Sequence, residues 1–399
     1  MKRPSLYFSD DHDLFRQSVR QFIQTEVVPN TEAWETARRI PLSIFERMGQ
    51  LGYLGLPYPE AYGGSDADFW YSVVFLEELA RCGMGGFTTA VSVHEYMAVN
   101  HLAKAGSPAL KEKYLVPAIA GQKVAALAIT EPDAGSDVSA IRTVARRQVN
   151  ADTGAEEYVI SGAKTFISNG TYGDFVTLTA RTNTEGAAQN GLSLIVVDLD
   201  SPGITRTKLN KMGWHSSDTA EIRFDEVRVP VTNLIGQENM GFYYLMESLQ
   251  LERLVAAIMA VSGADLALSW TLQYIQEREA FGKPIGAFQA IRHKIADVAT
   301  EIEMARQFVY HTCWLYTQGE VVVKECSMAK LYTSEMQKRV VDTCLQFFGG
   351  YGYMDDYPIS RAYRDARVGT IAGGSSEIMR EIIAKIVIDA VGYKRVYKT

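Results

Sequence analysis

Residues 127–137 read LAITEPDAGSD, and the architecture of the chain follows from how this run is read. Leu127, Ala128 and Ile129 make a short apolar strand that stops at Thr130, Glu131 and Pro132 and opens into Asp133, Ala134, Gly135, Ser136 and Asp137. Pro132 fixes its own φ and biases Glu131 to an extended conformation. Gly135 lets the backbone approach a ligand closely, and the next N–H groups and the Ser136 hydroxyl become free donors. Such a loop suits a phosphate or a flat polar heterocycle. Taken alone it is equally an ordinary strand exit, since one glycine-serine turn is a weak motif. Residues 162–170 (GAKTFISNG) repeat the construction, with an aromatic at Phe166, a hydroxyl at Ser168 and a glycine exit.

Outward from these loops the apolar residues alternate: 158–160, 175–178, 192–197 and 222–229, with turns at Gly154, Gly162, Gly173, Gly191 and Pro202. That period predicts a compact antiparallel β domain over residues 125–234. Residues 1–124 read as helices instead. Phe15, Val19, Phe22 and Ile23 keep helical spacing behind Ser9 and Asp10, Pro41 suits a first turn, and Ser107 with Pro108 makes an N-cap and N1 pair. Further helices are predicted at 70–82 and 90–105. Past Gly241 the helical period returns at 242–276, 288–316, 321–348 and 375–391, a bundle over residues 235–399. The predicted class is α+β and multidomain.

A chain of 399 residues exceeds one hydrophobic core. Net charge −7, with no basic run beyond Lys394, Arg395 and Lys398, argues against a nucleic-acid partner. Cys82, Cys313, Cys326 and Cys344 show neither a CxxC pair nor metal-ligand spacing, and read as reduced buried thiols. The N-terminal residues lack a signal-like apolar run, and no run of about 18 apolar residues occurs. The expectation is a soluble protein without metal or membrane anchor, cytoplasmic, or of the mitochondrial matrix if a presequence has been removed.

One helix carries the candidate chemistry. Leu245, Leu249, Glu252, Ala256, Met259 and Gly263 share a stripe, so a carboxylate interrupts an apolar face. Arg253 lies about 100° round the helix and need not neutralise it. Facing an apolar cavity, Glu252 would be raised in pKa and useful as a base; the ordinary reading is a salt bridge to a facing helix.

The stretches 127–137, 162–170, 211–230 (KMGWHSSDTAEIRFDEVRVP), 278–284 (REAFGKP) and 346–352 (QFFGGYG), in that order, resemble the acyl-CoA dehydrogenase family of flavoproteins over nearly the whole chain. The resemblance implies a helical domain, a β domain and a four-helix bundle, with FAD as cofactor and an acyl-CoA as substrate. In most members the catalytic glutamate precedes a Gly-Thr/Ser-Ser type turn near the C-terminus, and here Gly373 stands in its place. A minority branch, which includes long-chain and isovaleryl-CoA dehydrogenases, supplies the base from a third-domain L-x-E-R-L segment, and residues 249–254 read LQLERL.

By resemblance, then, Glu252 is the base and the Gly373 N–H polarises the thioester carbonyl. The flavin site is Leu127, Ile129, Thr130, Gly135, Ser136, Phe166 (often Trp in the family) and Ser168. Arg278, Phe281, Gln289, Gln346, Gly349 and Gly350 serve the FAD of a neighbouring subunit, and Ser375 and Glu377 add cofactor contacts. Ser136, Arg253, Ala372 and Gly373 meet the substrate. Gln250 departs from the usual Asp or Asn, and Ala372 from a frequent Tyr, which leaves room for a branched or bulky acyl chain. The resemblance further implies a homotetramer and an electron-transfer flavoprotein as acceptor. The alternatives are an oxidase of the same fold and a non-catalytic binding protein that shares it.

Overall fold

Ser9 opens the first helix for a local reason. Its hydroxyl accepts from the His12 N–H while its own N–H donates to His12 Nδ1 at 3.0 Å, a reciprocal cap on helix Asp10–Phe22. The structure, a computed structural model, describes residues 5–397, so Lys398 of the basic tail and the first four residues lie outside the described residues. Asp68 caps helix Phe69–Ala80, whose residues 72–80 are all buried. Pro41 stands before the cap residue of helix Ser43–Gln50 and so outside its first turn. Helix Gly85–Ser92 runs on through a π-helical turn, Val93–Ala98, into Val99–Ala105, and so begins five residues ahead of the predicted start. Ser107 and Pro108 take the predicted N-cap and N1 places, with the Ser107 hydroxyl accepting from the Leu110 N–H.

The middle of the chain is one sheet: β1 (Ala125–Ala128), β2 (Val144–Val149), β3 (Glu156–Ser168), β4 (Phe175–Arg181), β5 (Leu192–Asp198), β6 (Ile204–Lys208), β7 (Thr219–Pro230) and β8 (Leu234–Ile235). The order is β6-β7-β3-β2-β4-β5-β8 with β1 alongside β4. Most pairs are antiparallel; β1 runs parallel to β4, and β2 meets β4 in parallel at Val144 and Arg181. Alternation in the sequence reports which face is buried and is blind to strand direction. In β3 the register against β7 shifts between Lys164 and Ile167. Such a bulge re-aims a side chain, and here Phe166 is turned out at φ +61°.

Helix Gly241–Glu277 is the spine of the C-terminal part, packed against Gln289–Thr317, Val323–Phe348 and the N-terminal Phe69–Ala80. Its most apolar 18-residue window has mean hydropathy 1.6, enough by length and composition to cross a membrane, yet 61% of that window is buried inside the protein. The apolarity serves a core in which Leu254, Val255 and Ile258 meet Phe75 and Leu79 from one side and Met336 and Val340 from another. Helix Ser376–Val387 stops four residues short of the predicted end. Helix Pro358–Ala366 was not predicted; Pro358 starts it and buried Ile359 anchors it. Its Asp365 accepts from Trp214 N (2.6 Å) and Gly85 N (3.0 Å), so one carboxylate ties this helix to the sheet and to the N-terminal helices.

Candidate active site

A cavity of about 270 Å³ opens where the three parts of the chain meet. Thr88, Ser92, Val93 and Met97 line it from the N-terminal helical run 85–105, Ser168 from β3 and Trp214 from the loop between β6 and β7. The long helix contributes Glu252, Ala256, Met259 and Gly263, while Lys330, Ala372 and Gly373 close another side. The apolar stripe is therefore mostly a cavity wall. Its first member, Leu245, belongs instead to a core cluster with Tyr114 and Phe175.

Glu252 is 6% exposed, and among the described residues its Oε1 has no hydrogen-bond partner. Burial pushes the carboxyl up to about 7, against the opposing pull of Arg253. Arg253 is equally buried, its Nε is without a partner, and burial holds its guanidinium below the ordinary value. Gln250 is committed elsewhere, because its Oε1 accepts from Val322 N at 3.0 Å. The neighbouring Glu247 is occupied as well, accepting from the N–H groups of Val396 and Tyr397. Glu377 is exposed in the first turn of helix Ser376–Val387, where backbone N–H and Ser375 hold it below the ordinary range.

Gly373 and Gly374 take φ of +66° and +95°, a turn open to glycine and strained for other residues. A Cβ on Gly373 would meet only Lys330 Cε, at 4.0 Å. Ser375 caps the following helix, accepting from Ile378 N at 3.3 Å, and exposed Ala372 leads into the turn.

The two loops of the β domain are stapled together. Thr165 N donates to Thr130 O at 2.9 Å, and the Lys164 ammonium donates to Ile129 O (2.9 Å) and Glu131 Oε1 (2.8 Å). Glu131 also accepts from Arg142 N and Thr143 N at 2.7 and 2.9 Å. Burial alone would raise Glu131, but Lys164 and these donors bring it below the usual range; burial takes Lys164 down to about 8, still protonated at neutral pH. Held on this brace, Leu127, Ile129 and Thr130 are half-buried, Gly135 and Ser136 exposed, and Phe166 is 69% exposed. A Cβ on Gly135 would meet nothing within 4 Å. An outward aromatic, hydroxyls at Thr130 and Ser136, free backbone beside Gly135 and Ser168 at the cavity edge fit a flat heterocycle with a polar rim that carries phosphate. The loop histidine His215 bonds locally, with its Nε2 3.1 Å from Lys211 O.

Arg278, Gln346, Gly349 and Gly350 line a separate groove with Tyr274 and Tyr351, the Arg278 guanidinium lying 5.8 Å from the Tyr351 ring centre. Phe281, 95% exposed, tips the short hairpin beside it, and exposed Gln289 starts helix Gln289–Thr317. Within one chain these six residues do not join the Glu252 cavity.

Compared with known proteins, residues 9–122, 126–227 and 239–388 match the N-terminal, middle and C-terminal domains of acyl-CoA dehydrogenases. The chain belongs to the acyl-CoA dehydrogenase family. It is 39% identical to the mitochondrial long-chain specific acyl-CoA dehydrogenase of Rattus norvegicus, over 96% of this chain and 87% of the relative. It is 35% identical to the mitochondrial isovaleryl-CoA dehydrogenase of Oryza sativa subsp. japonica, over 96% and 92%. A crystal structure of an acyl-CoA dehydrogenase from Geobacillus kaustophilus superposes with a TM-score of 0.91 at 40% identity, covering 96% of this chain and all of the other. As an acyl-CoA dehydrogenase the protein is an oxidoreductase. Three features of this acyl-CoA dehydrogenase escape a reading of its sequence: the Glu131–Lys164 brace, Asp365 and Lys330. Lys330 did leave a signal of the same kind as Glu252, a charge among Cys326, Ala329 and Thr333 on a buried helix face.

Proposed function

We propose that this chain removes an α proton and a β hydride from an acyl-CoA to give the trans-2-enoyl-CoA, with Glu252 as the base. The observation that carries this reading is a buried carboxylate, raised to about 7 and with no hydrogen-bond partner for Oε1 among the described residues, on the wall of an apolar cavity that also holds Gly373. The proton passes to Glu252, and the electron pair of the broken Cα–H bond moves toward the thioester carbonyl. There the Gly373 N–H donates to the carbonyl oxygen, a contact of the kind worth about 3 kcal/mol. FAD, when bound, accepts the hydride that leaves Cβ. Phe166 would stack on its ring system, Ser168 and Thr130 would donate to its polar edge, and Gly135 with Ser136 would meet the phosphate side. Arg253 and Ser136 face the CoA portion, with Ala372 beside the acyl group.

The wall continues from Glu252 through Ala256, Met259 and Gly263 to Leu266 and Trp270, about 27 Å of helix axis, which suits an extended long-chain acyl group. The rat relative, named for long-chain substrates, supports the same choice. Arg278, Phe281, Gln289, Gln346, Gly349 and Gly350 are assigned to the FAD of a neighbouring subunit in a homotetramer, and an electron-transfer flavoprotein to reoxidation.

Purified protein is expected to be yellow, with one FAD per chain, and to lose flavin when diluted to monomers. Anaerobic titration with saturated acyl-CoAs of increasing length should bleach the flavin, best with long chains. Protein that stays colourless after reconstitution with FAD, or flavin that no acyl-CoA bleaches, contradicts the proposal; stoichiometric peroxide on reoxidation in air would make the protein an oxidase instead.

A further inference from the structure

Lys330 lines the same cavity, and the proton transfer described above makes no use of it. It is 1% exposed on helix Val323–Phe348, and its ammonium donates to the Gly374 carbonyl. The turn it grips has little stiffness of its own, since Gly373 and Gly374 both sit at positive φ and carry no side chain to pack. On the Gly373 side of the turn the lysine stem is the nearest neighbour, with Cε 4.0 Å from the place of a Cβ on Gly373, while Met379 lies against Gly374. Burying an ammonium is unfavourable: burial first, and Arg253 second, bring this one down to about 8. A methionine of similar reach would fill the space without that penalty, so the local role lies in what the charge holds.

We propose that Lys330 is a positioning residue for the thioester: by holding the Gly374 carbonyl it fixes the diglycine turn and the direction of the Gly373 N–H. The inference rests on the reading of Gly373 given above. The ammonium does the work that side-chain packing does in a turn of larger residues. A free turn would present the same donor at a scatter of angles, and the carbonyl oxygen would be polarised only part of the time. Because the grip acts on the enolising carbonyl, it bears on α-proton removal and leaves FAD and the CoA portion alone.

The experiment reads enolisation apart from hydride transfer. FAD-loaded enzyme is reduced beforehand with dithionite, so no hydride can be accepted, and the α hydrogens of a saturated long-chain acyl-CoA are followed by NMR as they exchange in D₂O. Lys330→Met is expected to slow exchange and kcat by about 10²-fold, the scale of a small misplacement at the reacting centre. KM should move by less than about threefold, as for an interaction made in the transition state, with flavin content unchanged. Lys330→Arg, which keeps a cation with donors at similar reach, should recover part of the loss. Exchange within about twofold of wild type in Lys330→Met, per FAD-loaded subunit, would overturn the inference even if thermal stability fell, because packing alone would then be its role. Should the methionine variant not fold, Lys330→Gln serves the same readout: about tenfold slower exchange supports the inference and an unchanged rate overturns it. No α exchange in the wild-type enzyme would overturn the assignments of Glu252 and Gly373 themselves, and this inference with them.

Discussion

Glu252→Gln is expected to lower turnover by at least about 10²-fold while FAD content and acyl-CoA affinity persist, the lower end of what a positioned general base contributes. Glu252→Asp should keep partial activity, because the carboxylate survives but stands about one methylene short of the α carbon, a displacement that costs about 10²-fold. Since Glu252 must be ionised to act, kcat/KM of the wild-type enzyme should rise with pH through about 7. Its stability should move the opposite way. A carboxyl raised from 4.5 to about 7 by folding contributes nothing unfavourable below pH 4.5, and its cost grows as pH rises from 4.5 to about 7 and is level above that. At pH 8 that cost is on the order of 3 kcal/mol, so Glu252→Gln should be the more stable protein there and no more stable than wild type at pH 4. Near wild-type flavin reduction by Glu252→Gln in a stopped-flow experiment would exclude it as the base. Glu247, held by the tail, and Glu377, exposed in the first turn of its helix, are poorer substitutes. Moving the carboxylate to residue 373 is not a symmetrical exchange, because φ +66° imposes about 1–2 kcal/mol on any residue but glycine.

The second large effect lies behind the two loops proposed to hold the flavin. Lys164→Met should destabilise the protein by about 3–5 kcal/mol, because Glu131 would remain charged in a dry site with only backbone donors. Flavin should be released more readily too, since Thr130 and Phe166 owe their spacing to the same brace. Urea unfolding of the FAD-free protein isolates the first effect, and flavin release by dilution reads the second. Glu131→Gln together with Lys164→Met removes both charges and should recover most of the loss; if the double variant is as unstable as the single one, the buried charge is not the cause. The folded-state value of Glu131 is depressed, so its share of stability is present above 4.5 and is lost as pH falls through the lower folded value.

The three-part architecture was legible because its signals are periodic. Alternation marks Thr219–Pro230, a run of apolar residues marks Leu192–Asp198, and helical spacing marks Gly241–Glu277, with Ser9 and Ser107 announcing their helices by capping chemistry. Glu252 was legible because a charge on an apolar stripe is locally conspicuous. What could not be read depends on pairing across distance. Strand direction between β1 and β4, the meeting of Asp365 with Gly85 and Trp214, and the Lys330 grip on Gly374 join residues far apart in the chain, and no local pattern encodes them. The predicted Glu252 stripe itself divides, with Leu245 in a core and Met259 on a cavity, because periodicity marks a face without saying whether it packs or lines a void.

Asp365 bears on how substrate enters. Its carboxylate holds N–H groups from two other segments in a nearly dry seam, and burial has already raised it to about 6. Swinging those segments apart would exchange both bonds for bonds to water, a net loss of about 1.5–3 kcal/mol for each bond to the charged group. An enzyme built this way is a poor candidate for jaw-like closure of whole domains. Traffic through the cavity falls instead to rotamer changes in its wall, where Met259 is half-buried and its neighbours Ala256 and Gly263 are small. Such motions last nanoseconds rather than milliseconds, so admission of the acyl chain need not limit the catalytic cycle.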